Sequence, residues 1–167
     1  MFIEKKEGSQ KVEEGGVFER QKGARRSWPH VVVLNVQKGH HPLMARALTV
    51  AKVRSFDIEK GTPVGTTSYL EARNFPDNYG RRVGFYVPDL EPGVTILERE
   101  KREHEDARYI KVMKVWKPQR SEDVWVFQYR VWDLKNNCPQ PRGQTNGHPI
   151  DERFHKKFKV VEPPLKR

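Results

Sequence analysis

The chain lacks most of the residues that build staples, metal cages and membrane spans. Its 167 residues include one cysteine, Cys138. A single thiol excludes an intramolecular disulfide framework and a cysteine-rich zinc site, and it fits a reducing compartment. No apolar run approaches the roughly 20 residues that a bilayer-spanning helix needs, so no membrane is expected among the partners. Residues 1–8 have no apolar core of a secretory signal, and their acidic members oppose a mitochondrial presequence. A presequence upstream of this numbering is left open, and an organellar matrix or the cytoplasm is the expected setting. Apolar residues are scarce, at 35% against 32% charged, so part of the chain is expected to lie outside a packed core.

Catalytic signatures are also missing. Gly61 and Gly65 are followed by Thr66 where a phosphate-binding loop requires lysine, so the pattern fails and a surface loop is expected there. His40 and His41 are neighbours on an extended segment and would point to opposite sides, which makes a poor chelate. Cys138 has no sequence context that would make it a nucleophile with His148 or His155 as its base. No RNP1 pattern and no internal repeat is evident. The expectation is therefore no enzyme, no metal and no cofactor.

What the chain does have is positive charge. Lys and Arg number 32 against 22 Asp and Glu, a net charge of +10 and a pI near 9.8. Such an excess points to a polyanionic partner, nucleic acid first and an anionic membrane surface second. It also has two strong strand signals, at residues 109–116 and 124–132, joined by a polar segment containing Pro118. In the second run Trp125, Phe127, Tyr129 and Val131 share one face at period two. Val124, Val126, Gln128, Arg130 and Trp132 share the other. Further strands are expected at 30–37, 48–56, 81–88 and 94–97. The run 98–106 holds only charged or ionisable residues and reads as a solvated loop. Residues 133–149 carry no periodic signal and read as a long loop.

These readings predict a mainly β chain, an antiparallel sandwich or partly open barrel with extended basic N- and C-terminal arms. The expected divisions are a polar and basic arm over 1–29, a β-rich core over 30–134, and a long loop with a basic extension over 135–167. Candidate nucleic-acid contacts are Arg20, Lys22, Arg25, Arg26 and Trp28 in the first arm. Tyr79, Arg81, Arg82 and Phe85 mix cations and rings in the core. Arg153, Lys156, Lys157 and Lys159 follow near the C-terminus. Cations would meet phosphates and rings would stack on bases. The bland alternative is that the rings are core and the cations solvated.

The function expected from charge and architecture is a non-catalytic, RNA-associated structural subunit of a large ribonucleoprotein, ribosome-like and conceivably organellar. Its partners would be structural RNA and neighbouring proteins of the assembly. The competing reading is a stand-alone binder of single-stranded nucleic acid. That reading requires Tyr79, Phe85 and Tyr86, or Trp116 and Trp132, to be exposed on a basic sheet face. A β-scaffold enzyme or a viral structural protein is the third. An enzyme would need a pocket gathering several of His30, His41, Glu71, Asp77, Asp89 and His148.

Overall fold

Val31, Val32 and Val33 are all fully buried, so the strand that carries them packs on both of its faces. That is why the sequence there is a continuous apolar run and not an alternation. The computed structural model describes residues 1–5, 11–24, 27–40, 47–99, 108–119, 124–144 and 147–161. It is mainly β and contains two antiparallel sheets, neither closed into a barrel among the described residues. The chain divides between Tyr86 and Val87 into two compact units, a boundary that falls inside the single core expected over 30–134.

The first unit is built from β1 (Phe2–Glu4), β2 (Gly16–Arg20), β3 (His30–His40), β4 (Ala47–Asp57), β5 (Thr62–Glu71) and β6 (Tyr79–Tyr86). Their order in the sheet is β1-β6-β2-β3-β4-β5. A 3-10 turn, Ala72–Asn74, and the one-turn helix α1, Phe75–Asn78, join β5 to β6. Pro76 sits in the first turn of α1, where a backbone N–H would have no intrahelical partner. Phe75 drops from α1 into the core, 4.8 Å from the Phe18 ring and 5.3 Å from Tyr79. On the opposite face of the sheet, Val17, Val32 and Phe56 form a second buried cluster covered by Phe2. The Phe2 and Phe56 rings are 5.3 Å apart, although β6, β2 and β3 lie between their strands in the sheet order. Only a strongly curled sheet brings them together.

The second unit holds β7 (Thr95–Glu98), β8 (Arg108–Trp116), β9 (Val126–Asp133), β10 (Cys138–Gln144), β11 (His148–Pro149), the one-turn helix α2 (Phe154–Lys157) and β12 (Phe158–Val160). The sheet order is β10-β9-β8-β7-β12, with β11 paired to β9. Ile96, Ile110, Val112, Phe127, Tyr129, Phe154 and Phe158 are buried. Phe158 lies 5.4 Å from Phe127 and 5.4 Å from Phe154, so this sheet also curls around its aromatic centre. Glu98 is buried and forms an ion pair with Arg108 directly across the strand pair, at 2.7 Å.

The two units repeat one plan, which corrects the expectation of no repeat. β2 pairs with both β3 and β6 as β7 pairs with both β8 and β12, and a one-turn helix precedes β6 and β12 alike. Phe75 and Tyr79 correspond to Phe154 and Phe158, with ring separations of 5.3 and 5.4 Å. Backbone bonds recur at matching positions. Gly15 N–H donates to Val33 O at 2.7 Å, as Gly93 N–H does to Val112 O at 2.8 Å. Gln21 N–H donates to Asn78 O, as Arg99 N–H does to Lys157 O, both at 2.8 Å. Gly15 and Gly93 both take positive φ, 84° and 96°, a conformation that glycine adopts without a Cβ penalty.

The arm expected over 1–29 is not a free arm in its described parts. It supplies β1 and the central strand β2, whose Val17 and Phe18 are fully buried. The expected loop and extension over 135–167 likewise supply β10, β11, α2 and β12, with Ile150, Phe154 and Phe158 buried. The surface loop expected around Gly61 to Ser68 is largely β5. Residues 41–46, 100–107 and 162–167, which include His41, most of the charged run and the basic tail, lie outside the described residues.

Candidate nucleic-acid interface

The rings proposed for stacking in the first unit are core side chains. Tyr79 and Phe85 are 2% and 3% exposed, and Trp28 packs against the cluster around Phe18 and Phe75. Tyr79 and Phe85 therefore have no face to offer a base, and Trp28 serves as a lid on the core. Arg82 is buried as well. Its guanidinium lies 4.3 Å over the Phe85 ring and 3.8 Å from the Glu13 carboxylate, so its charge is spent inside the molecule. Arg20 is exposed, and its Nη1 donates to Ser27 O. Lys22 and Arg81 are exposed on the same unit. Arg25 and Arg26 lie outside the described residues. Arg153, Lys156, Lys157 and Lys159 are all exposed on and beside α2.

The arrangement that the structure does assemble is the outer face of the second sheet. The inward residues of β8 and β9 are Ile110, Val112, Phe127, Tyr129 and Val131, all buried. Alternation then puts Tyr109 and Lys111 of β8 and Val126, Gln128, Arg130 and Trp132 of β9 on the outside. Lys114 joins them because of a β-bulge. Lys111 and Lys114 are three positions apart, and a regular strand would send them to opposite faces. The register shifts between Val112 and Lys114, which inserts Met113 and places Lys114 opposite Gln128.

The rows across this face are chemically consistent. Leu97 lies between Tyr109 of β8 and Lys159 of β12. Lys111 lies opposite Arg130, and Trp116 opposite Val126. The Lys111 ammonium sits 4.4 Å from the centre of the Trp132 ring, and that of Lys114 sits 5.2 Å from Trp116. Both are cation–π distances. Trp132 and Trp116 are half-buried and Tyr109 is exposed. Gly147 packs against Trp116 and Val126, where a Cβ would collide with both. The Arg130 Nε has no hydrogen-bond partner among the described residues.

The carboxylate at the rim, Asp133, is turned into the β9–β10 connection. It accepts from the Asn136 side chain at 2.8 Å and from the backbone N–H groups of Lys135 and Asn136. These bonds, that from the Asn136 side chain foremost, hold it below the usual carboxylate range.

Of this face, sequence reading had named Trp116, Trp132 and Lys159 but not Lys111, Lys114 or Arg130. Arg130 and Trp132 were visible at period two. The bulge that aligns the two lysines has no composition signal.

Among the described residues no group of three or more His, Cys, Asp and Glu side chains could hold a metal ion. No described helix is long and apolar enough to cross a membrane. Compared with known proteins, the chain matches no protein-family model, no curated protein and no solved structure.

Proposed function

We propose that the chain is a non-catalytic, RNA-associated structural subunit of a large, ribosome-like ribonucleoprotein, and that the outer face of its second sheet meets the RNA. The observation that carries this reading is the pair of lysine-over-tryptophan contacts, Lys111 on Trp132 and Lys114 on Trp116, beside Arg130 on one sheet surface. Cations spread over half-buried rings suit a partner that offers phosphates and bases together. Arg153, Lys156, Lys157 and Lys159 add charge on the same unit. The basic residues outside the described part, including Arg25, Arg26, Lys166 and Arg167, would extend the contact along the backbone. A stand-alone reader of single-stranded nucleic acid is the second reading, favoured by the same two tryptophans.

The test is fluorescence anisotropy of the full chain with labelled single-stranded and duplex RNA between about 50 and 200 mM salt. Log affinity should fall against log salt with a slope of about −0.7 per phosphate neutralised on a single strand. The double variant K111E/K114E should weaken binding at least tenfold. Trp132→Ala should cost about 1–3 kcal/mol for single strands if bases stack there, and little for duplex. Equal affinity for every variant, or no binding at the lowest salt, overturns the proposal. Co-purification with a large RNA-containing particle separates the subunit from the stand-alone binder.

A further inference from the structure

The repeat gives each position on the outer face of the second sheet a counterpart in the first unit. Registers pair Glu19 with His30 and with Arg81, just as they pair Leu97 with Tyr109 and with Lys159. Phe56 corresponds in the same way to Trp132, and Val32 to Lys111. The two faces differ in chemistry. In the second unit the face is basic and aromatic. In the first its centre, Val17, Val32 and Phe56, is apolar and covered by Phe2 from β1, a strand to which the second unit has no counterpart among the described residues.

Where that cover meets the row Arg81–Glu19–His30, the first unit contains a cavity of about 400 Å³. Phe2, Ile58 and Val83 form its apolar wall, and Glu4 stands at the rim. Glu19 and Arg81 are opposite charges on directly paired strands, the arrangement in which cross-strand ion pairs form. Yet among the described residues the side chains of Glu19, His30 and Arg81 make no hydrogen bond or ion pair. The size is at the small end of ligand pockets, which combine apolar walls with a few convergent polar groups.

We propose that this cavity binds a small zwitterion with an apolar body, an apolar α-amino acid in chemical class. Glu19 would hold the ammonium group and Arg81 the carboxylate, while the side chain rests on Phe2, Ile58 and Val83. Two carboxylates against one guanidinium disfavour a phosphate in the same place. The proposal concerns the first unit and does not depend on the RNA reading.

The experiment is calorimetric titration of the full chain with L-phenylalanine and with L-leucine. 3-Phenylpropionate lacks the ammonium group, phenethylamine lacks the carboxylate, and a guanine mononucleotide represents a phosphate ligand. Either amino acid should bind, and removing either charged group should weaken binding at least tenfold. Glu19 is exposed, so E19Q should fold normally and lose at least tenfold for the amino acid. R81M should lose the preference of the site for phenylalanine over phenethylamine. RNA affinity of E19Q should stay that of the parent. The absence of heat with both amino acids up to about 10 mM, preferential binding of the nucleotide, or unchanged affinity in E19Q would each overturn the proposal.

Discussion

Asn137 carries the one positive φ of a described non-glycine residue, 50°. Its side-chain oxygen accepts the Trp132 indole N–H at 3.2 Å. Asparagine tolerates this left-handed conformation, whereas a β-branched residue would be strained there. The same turn is held from its other end by Asp133, whose carboxylate accepts three N–H groups. These bonds favour the ionised form, which lowers its pKa below 3.8. A group depressed on folding stabilises the fold above its unfolded value and loses that contribution as pH falls through its folded value. The parent should therefore be more stable than Asp133→Asn at neutral pH. The advantage should shrink as pH drops below 3.8 and be gone at the acid end. Urea denaturation of the pair across pH checks it, and a gap that widened on acidification would contradict it. The turn was legible only in part. The cluster of Asp133, Asn136 and Asn137 marks a turn, but Pro139 and Pro141 argued for continued loop. They are tolerated because β10 is an edge strand, where proline need not donate to a neighbour.

At the scale of elements, the two one-turn helices do more than their length suggests. Each exists to lower one phenylalanine into a curled sheet, Phe75 at 1% exposure and Phe154 at 1%. Truncating either to alanine removes a fully buried ring and should destabilise its unit by about 3–5 kcal/mol. Replacing the exposed Asp77 or Lys156 neighbour should cost less than about 0.5 kcal/mol. Chemical denaturation of the four variants makes the comparison.

No periodicity can announce a helix of four residues: residues 74–80 read as a turn cluster, whereas residues 151–159 read as a short helix or a final strand, and the structure has both there. The long strands were legible because burial writes itself into sequence. Val31 to Val33 pack on both faces and read as a continuous apolar run. Phe127, Tyr129 and Val131 pack on one face and read as an alternation. β5 was missed for the converse reason. Val64, Thr66 and Thr67 are exposed on this edge strand, so nothing selects an apolar period there. The candidate interface was half legible: Trp116, Trp132 and Lys159 stood out, while Lys111 and Lys114 needed the bulge at Met113 to share a face.

At the scale of the whole molecule, the repeated plan is hidden in the sequence because matching backbone positions carry different side chains. Thr95 stands where the first unit has Val17, Leu97 where it has Glu19 and Lys111 where it has Val32. What the two units share is what the fold requires: a positive-φ glycine before β2 and before β7, the helix phenylalanine and the aromatic that opens β6 or β12.

Each core is also filled by its own unit. Phe18, Val31, Val53, Phe75 and Tyr79 form one cluster, and the rings of Phe127, Tyr129, Phe154 and Phe158 form another. The division into two compact units predicts two cooperative transitions, not one. Phe75→Ala should lower the melting point of one transition and Phe154→Ala that of the other. The tryptophans identify which is which. Trp28 belongs to the first unit and Trp116, Trp125 and Trp132 to the second, so fluorescence of a Trp28→Phe chain follows the second unit alone. In that background Phe154→Ala should shift the fluorescence melt and Phe75→Ala should leave it in place. A single transition that both substitutions shift equally would mean that the two cores unfold as one.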